Sequence, residues 1–223
     1  MTRAAVCIFA KPPVAGTVKT RLIPAVGAER AADLAEAFLQ DTLAVVQKFG
    51  RAEVVIAATA PFAREYMRNH PMWIQPAGDL GVRMEAILRR ALVKHQMAFA
   101  VGADSPGLPV ICLDHARSRL ASYDVVLGPS SDGGFYLIGV KHCPRGLLSG
   151  IEWSKPTTRQ QTISRLRQQG LSVALLPGWF DVDTVVELAR LESLVAERLI
   201  DCPHTEAVLE RFRRSTITAG LGK

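Results

Sequence analysis

Three short acidic loops stand out in this 223-residue chain, each directly after an apolar run. They are Asp104 in Gly102-Ala103-Asp104-Ser105-Pro106-Gly107, Asp132 in Ser131-Asp132-Gly133-Gly134, and Asp181 with Asp183 in Asp181-Val182-Asp183-Thr184. A carboxylate held on a rigid turn at a strand's end can bind a divalent cation against phosphate oxygens. Residues 11–22 (KPPVAGTVKTRL) supply the opposite charge: prolines stiffen the loop, Gly16 lets it turn, and Lys11, Lys19 and Arg21 arrive together after the first apolar run. Arginine brings a planar fork and lysine a compact charge, which suits a di- or triphosphate. In residues 75–83 (QPAGDLGVR), Gly78 and Gly81 flank Asp79. Either Asp79 caps the helix that follows, or the glycine-rich backbone approaches a base or ribose with Arg83 turned toward phosphate.

Each of these residues could also serve the fold alone. Asp104 can cap a turn or the next helix, the basic loop can be a solvated surface, Asp132-Gly133-Gly134 can turn a hairpin, and Asp183 can be an N-cap. Three acidic loops after three strand-like runs favour a shared site. The basic loop is not a P-loop, because Gly16 and Lys19 are not adjacent and the second glycine is missing, and no GxGxxG fingerprint occurs.

To converge, these loops must leave one edge of a sheet. Continuous apolar runs at residues 4–10, 53–59, 97–101 and 124–129 have the pattern of strands covered on both faces. Residues 72–75 and 172–176 read as short strands, and 135–140 as a buried run after the Asp-Gly-Gly turn. Helical periodicity or boundary signals place helices at 28–49, 62–68, 84–93, 110–120, from about 152 to 169, at 185–199 and from 202 onward, with the basic tail from Arg211 frayed. Strands alternating with helices predict an α/β fold with a mostly parallel sheet sandwiched between helices. Ligands bind at the carboxyl edge of such a sheet, where Asp104 falls.

The chain is 48% hydrophobic and 22% charged, enough for a full core and too little charge for disorder. No linker, repeat or low-complexity segment divides residues 1–223, so one domain is expected. The net charge of +6 comes without any basic block interleaved with aromatics, which argues against nucleic acid and for a phosphate-rich small ligand. Four scattered cysteines lack CxxC spacing and five histidines do not cluster, so zinc chemistry is not expected. The first apolar run ends at Lys11-Pro12-Pro13, too short for a signal peptide or membrane span, and nothing later reaches that length; the expectation is a soluble, cytoplasmic protein with no membrane partner. The helix patterns leave the oligomeric state open.

In combination, FAKPPVAGTVKTRL, QPAGDLGVRM, GADSPGLP, GPSSDGGFYLIGV, the IEW segment, DVDT and CPHT resemble, in that order, the motifs of a bacterial glycosyltransferase family. Its members are often described as partners of radical-SAM enzymes and in some cases linked to arsenosugar biosynthesis. The resemblance extends to the nucleotide-diphospho-sugar transferases of the GT-A fold, and KTRL is similar to a segment of 2-phospholactate guanylyltransferases. It implies a GT-A sheet, Mg or Mn, a nucleotide or nucleotide-sugar donor and a small-molecule acceptor. The first loop (Lys11, Gly16, Lys19, Arg21), together with Gly78, Asp79, Arg83 and Asp104, would hold the nucleotide. Asp104 and Asp183, or less readily Asp181, would hold the metal. Asp132, with Gly133, Gly134 and Trp153, would border the acceptor, and Asp132, Lys19 and Arg21 would act in catalysis. Where GT-A glycosyltransferases carry a DxD motif, this chain has Asp104-Ser105-Pro106 with one acid, a feature closer to nucleotidyltransferases, although their G-G-x-G-x-R loop is also absent. On the resemblance, glycosyl transfer is the leading expectation, nucleotidyl transfer with pyrophosphate release the second, and a non-catalytic nucleotide-binding regulator the third.

Overall fold

The computed structural model describes residues 4–50 and 52–220; the ends of the 1–223 span expected as one domain lie outside them. The strands are β1 (Ala4–Ala10), β2 (Ala52–Ala58), β3 (Met72–Ile74), β4 (Met97–Gly102), β5 (Val125–Pro129), β6 (Phe135–Val140) and β7 (Val173–Leu175). The helices are α1 (Ile23–Val26), α2 (Ala28–Phe49), α3 (Leu80–Leu92), α4 (Ile111–Arg119), α5 (Thr158–Gln168), α6 (Val185–Ala196) and α7 (Pro203–Gly220). One seven-stranded sheet runs in the order β3-β2-β1-β4-β6-β5-β7, the mostly parallel α/β arrangement that the sequence predicts.

Side chains alternate across each strand, so β1 sends Val6, Ile8 and Ala10 to one face and Ala5, Cys7 and Phe9 to the other. The first face is covered by α2 and α4 through Leu39, Leu43, Val46, Cys112 and Leu113. The second is covered by α3 and the segment before α5, through Met84, Ile87, Leu88, Leu147 and Leu148. A third core joins Leu22, Leu34 and Phe38 of the α1–α2 region to Phe180, Val182, Leu191 and Leu209. That core brings the start of the chain against its end.

The sheet topology creates the crevice. β1 pairs in parallel with β2 on one side and β4 on the other. The chain leaves β1 toward β2 and later returns from β3 to β4, so the connecting helices lie on opposite faces and their loops part at the carboxyl ends of β1 and β4. β6 is antiparallel to both β4 and β5, which leaves β4 and β5 parallel to each other, with their carboxyl ends on the same rim.

Several boundaries differ from expectation. The helix predicted at 84–93 begins at Leu80, because Asp79 caps it. Residues 62–68 form only a 3-10 turn at Glu65–Met67, and α5 starts at Thr158 rather than near 152. The tail does not fray at Arg211. Helix α7 continues to Gly220, held by Arg211 Nη2 donating to Asp33 Oδ2 at 2.6 Å and by Phe212 packing on the third core. All four cysteines are buried and free, and burial pushes the Cys7 thiol up to about 12. No helix among the described residues is long and apolar enough to cross a membrane.

Candidate active site

The basic loop is pinned from below. Val18 and Leu22 are buried, and Leu22 enters the third core beside Phe38, so Lys19, Thr20 and Arg21 are held at the mouth of the β1–β4 gap. Lys19 pays with its backbone: its φ of 47° lies in the left-handed region, which costs a non-glycine residue about 1–2 kcal/mol. The return is position. Its side chain is only 4% exposed and its Nζ sits 2.6 Å from Asp104 Oδ1 and 2.9 Å from Asp183 Oδ1, with the Phe38 ring centroid at 5.5 Å. Burial disfavours the ammonium, but the two carboxylates outweigh it and hold the Lys19 pKa above its ordinary value.

Asp104 is placed by the end of β4. Ala103 N–H donates to Phe9 O at 3.2 Å, stitching the loop to β1, and Val182 N–H donates to Asp104 O at 2.9 Å. The second contact lays residues 181–183 along the same loop. Helix α6 is capped by Thr184 instead of Asp183: Thr184 and Glu187 form a reciprocal capping box, with Thr184 N–H donating to Glu187 Oε2 at 2.7 Å. Asp183 is thereby released to face the crevice.

Asp181 and Asp183 meet different partners, and only Asp183 reaches Lys19. Val182, between them in sequence, is fully buried in the third core. Asp181 instead accepts from the hydroxyls of Ser105 and Ser130, the latter at 2.8 Å. Burial pushes its carboxyl up to about 6; the serine hydroxyls draw it back, and the Asp104 and Asp132 charges add to the rise.

The crevice holding Lys19 has a volume of about 470 Å³, and Lys11, Arg21, Arg83, Asp104 and Asp183 line it. Arg83 is aimed by Gln75 Oε1 at 3.1 Å, while the Gln75 amide is anchored to Ala57 O at 2.7 Å. Gly16, Gly78 and Asp79 stand apart from these walls. Gly16 turns the loop at a φ of 81°, and Asp79 Oδ1 accepts from Val82 N–H at 2.9 Å as the α3 cap, with Gly78 packed on Val82. These three positions are explained by backbone geometry.

A second cavity of about 190 Å³ adjoins the first, walled by Phe9, Leu80, Met84, Phe135 and Trp153 with Asp132, Gly134 and Asp181. Asp132 belongs to the β5–β6 turn, where its Oδ1 accepts from Gly134 N–H at 2.8 Å. Gly133 has a φ of 89°, and a Cβ there would lie 2.1 Å from Pro156 O; the close approach ties the turn to the start of α5 but leaves Gly133 outside the lining. Five further residues shape the site: Phe38, Gln75, Ser105, Ser130 and Phe135. Their only sequence signal is nearness to strand ends, which Phe38 lacks.

Two carboxylates gripping one ammonium fit a divalent cation. Magnesium sites commonly take one or two carboxylates and complete their shell with water and substrate phosphate, and no described residue bonds Oδ2 of Asp104 or Asp183. Among the described residues no group of three or more His, Cys, Asp or Glu gathers to hold a metal unaided. Lys19 Nζ occupies the position between the two carboxylates.

A family profile described as "Uncharacterized protein conserved in bacteria (DUF2064)" matches residues 42–155. A crystal structure from Desulfovibrio desulfuricans G20, provisionally named a nucleotide-diphospho-sugar transferase, superposes with a TM-score of 0.82 at 31% identity, covering 96% of this chain and 98% of that one. A cytidylyltransferase from Leptospira borgpetersenii serovar Hardjo-bovis gives 0.61 at 13% identity, over 97% and 96%. Rv0371c from Mycobacterium tuberculosis H37Rv, in its complex with manganese, gives 0.50 at 16% identity, over 85% and 98%. The last two share the fold. No curated protein matches the chain.

Proposed function

The chain belongs to the bacterial family described by that profile, and from this premise we propose that it is a metal-dependent transferase acting on a nucleotide-activated donor, with glycosyl transfer from a nucleotide-diphospho-sugar to a small acceptor as its reaction. The observation that carries this reading is the Lys19 ammonium held between Asp104 and Asp183 in a crevice also lined by Lys11, Arg21 and Arg83. Asp104 and Asp183 would hold magnesium or manganese, which when bound neutralises diphosphate charge. Arg21, Lys11 and Arg83 bind the phosphates, and Lys19, in the same crevice, adds a fourth cation. In transfer, an acceptor hydroxyl forms the new bond to the sugar carbon and the bond to the diphosphate breaks. Asp132 takes the hydroxyl proton: it is exposed, and no described residue bonds its Oδ2, whereas both oxygens of Asp181 are engaged by serines.

One observation favours a second reading, nucleotidyl transfer. Only one acid stands at the Asp104 loop, and the crevice offers four cations where a triphosphate would need them. Labelled nucleotides separate the two: nucleoside diphosphate release from a nucleotide sugar supports the first, and pyrophosphate release from a nucleoside triphosphate the second. A non-catalytic regulator is the outcome if neither product forms and Asp104→Asn leaves nucleotide affinity unchanged.

A further inference from the structure

We propose that the smaller cavity takes a compact, apolar-bodied molecule bearing a hydroxyl, and that it meets the cation-lined crevice across Gly102. The junction is the first observation. Phe9, Leu80, Gly102 and Ser154 line both cavities, so the two are halves of one site. Gly102 ends β4 with an ordinary φ, and a Cβ built on it meets nothing within 4 Å. Among the described glycines it alone combines these properties; the others with open space are in the left-handed region, where glycine is needed for the turn. Glycine in a strand is destabilising relative to alanine. Here neither dihedral nor packing calls for it, and the bare backbone leaves room for a ligand passing from one half to the other.

The walls specify the occupant. Phe9, Leu80, Met84, Phe135 and Trp153 give an apolar chamber, with Phe135 and Trp153 in an edge-to-face contact at 6.1 Å. At about 30 Å³ per water, 190 Å³ has room for about six waters, which fits a single ring or short chain and not a nucleotide. Asp132 and Asp181 both line the chamber, against one cation, exposed Lys155, so an anionic group is disfavoured there. Among the described residues Asp132 accepts from Gly134 N–H through Oδ1 alone, which leaves its Oδ2 as an acceptor for a hydroxyl proton on the chamber wall. That this occupant is the acceptor rests on the transferase reading above; that the chamber binds such a molecule does not.

The test uses no nucleotide. The Trp153 indole N–H resonance, assigned by its loss in Trp153→Phe, is followed while the full chain is titrated with benzyl alcohol, benzyl phosphate or glycerol. Benzyl alcohol is expected to shift it saturably and at least tenfold more tightly than the other two. Phe135→Ala and Gly102→Val should each weaken that binding at least fivefold, with Gly102→Val keeping the parent's melting temperature because its side chain enters open space. A resonance that benzyl alcohol leaves unmoved, or benzyl phosphate binding as tightly, overturns the proposal. Failure of the transferase reading alone would leave these titrations unchanged.

Discussion

At the scale of the residue, the crevice is organised around a lysine held between two carboxylates. Lys19→Met removes the competing ammonium, so in the absence of nucleotide manganese should bind roughly tenfold tighter, about 1.4 kcal/mol, while nucleotide affinity falls. Calorimetry with manganese alone checks this, and unchanged affinity would mean that the ion does not use Asp104 and Asp183. Asp181 supplies a pH signature. Its carboxyl is raised from 3.8 to about 6, so the folded protein keeps a proton that the unfolded chain releases between those values. The folded pKa is the higher one; its contribution to stability is therefore complete below the unfolded value and lost as pH rises through about 6. Two units correspond to about 3 kcal/mol. In chelating buffer, urea unfolding of Asp181→Asn between about pH 4.5 and about pH 7 should lack this decline, and parallel slopes for parent and variant would refute it.

At the scale of the element, two helix caps that look alike in sequence serve different ends. Asp79→Ala removes the α3 cap, which should cost about 1 kcal/mol and lower the melting temperature by about 2–4 °C. Nucleotide affinity should stay within about twofold, because that carboxylate faces its own helix. Thr184→Ala should cost a similar amount but also weaken manganese binding, since the α6 capping box fixes where Asp183 begins. Thermal unfolding beside manganese calorimetry separates the two. Much of this level was legible in the sequence. Buried parallel strands are written as continuous apolar runs, and Lys11 and Asp104 of the crevice follow closely on the ends of β1 and β4. What could not be read was which neighbour each loop would meet. Ser105 and Ser130 are ordinary loop serines until residues 180–183 cross them, and Asp181 and Asp183 differ only through those contacts. The antiparallel placement of β6 is likewise a matter of partner, since residues 135–140 carry the same apolar signature as a parallel strand.

At the scale of the whole molecule, residues 164 apart in sequence meet at the Lys19–Asp183 contact. The third core makes that possible, because Leu22, three residues after Lys19, and Val182, just before Asp183, are buried in it together. Leu191→Ala in that core should cost about 2–5 kcal/mol and loosen both sides of the crevice at once, seen as a lower melting temperature and weaker manganese binding together. A bound ligand should act in the opposite direction: manganese with a nucleotide should raise the melting temperature, and chelation should reverse the gain, because only the folded chain brings these groups together. The Lys19 clamp has a further consequence for how the site fills. On the proposed metal assignment, an ion entering between Asp104 and Asp183 would free an ammonium for phosphate oxygens, and a phosphate that draws the ammonium away would vacate the seat for the ion. Thermodynamic reciprocity would then require each to tighten the other by the same factor.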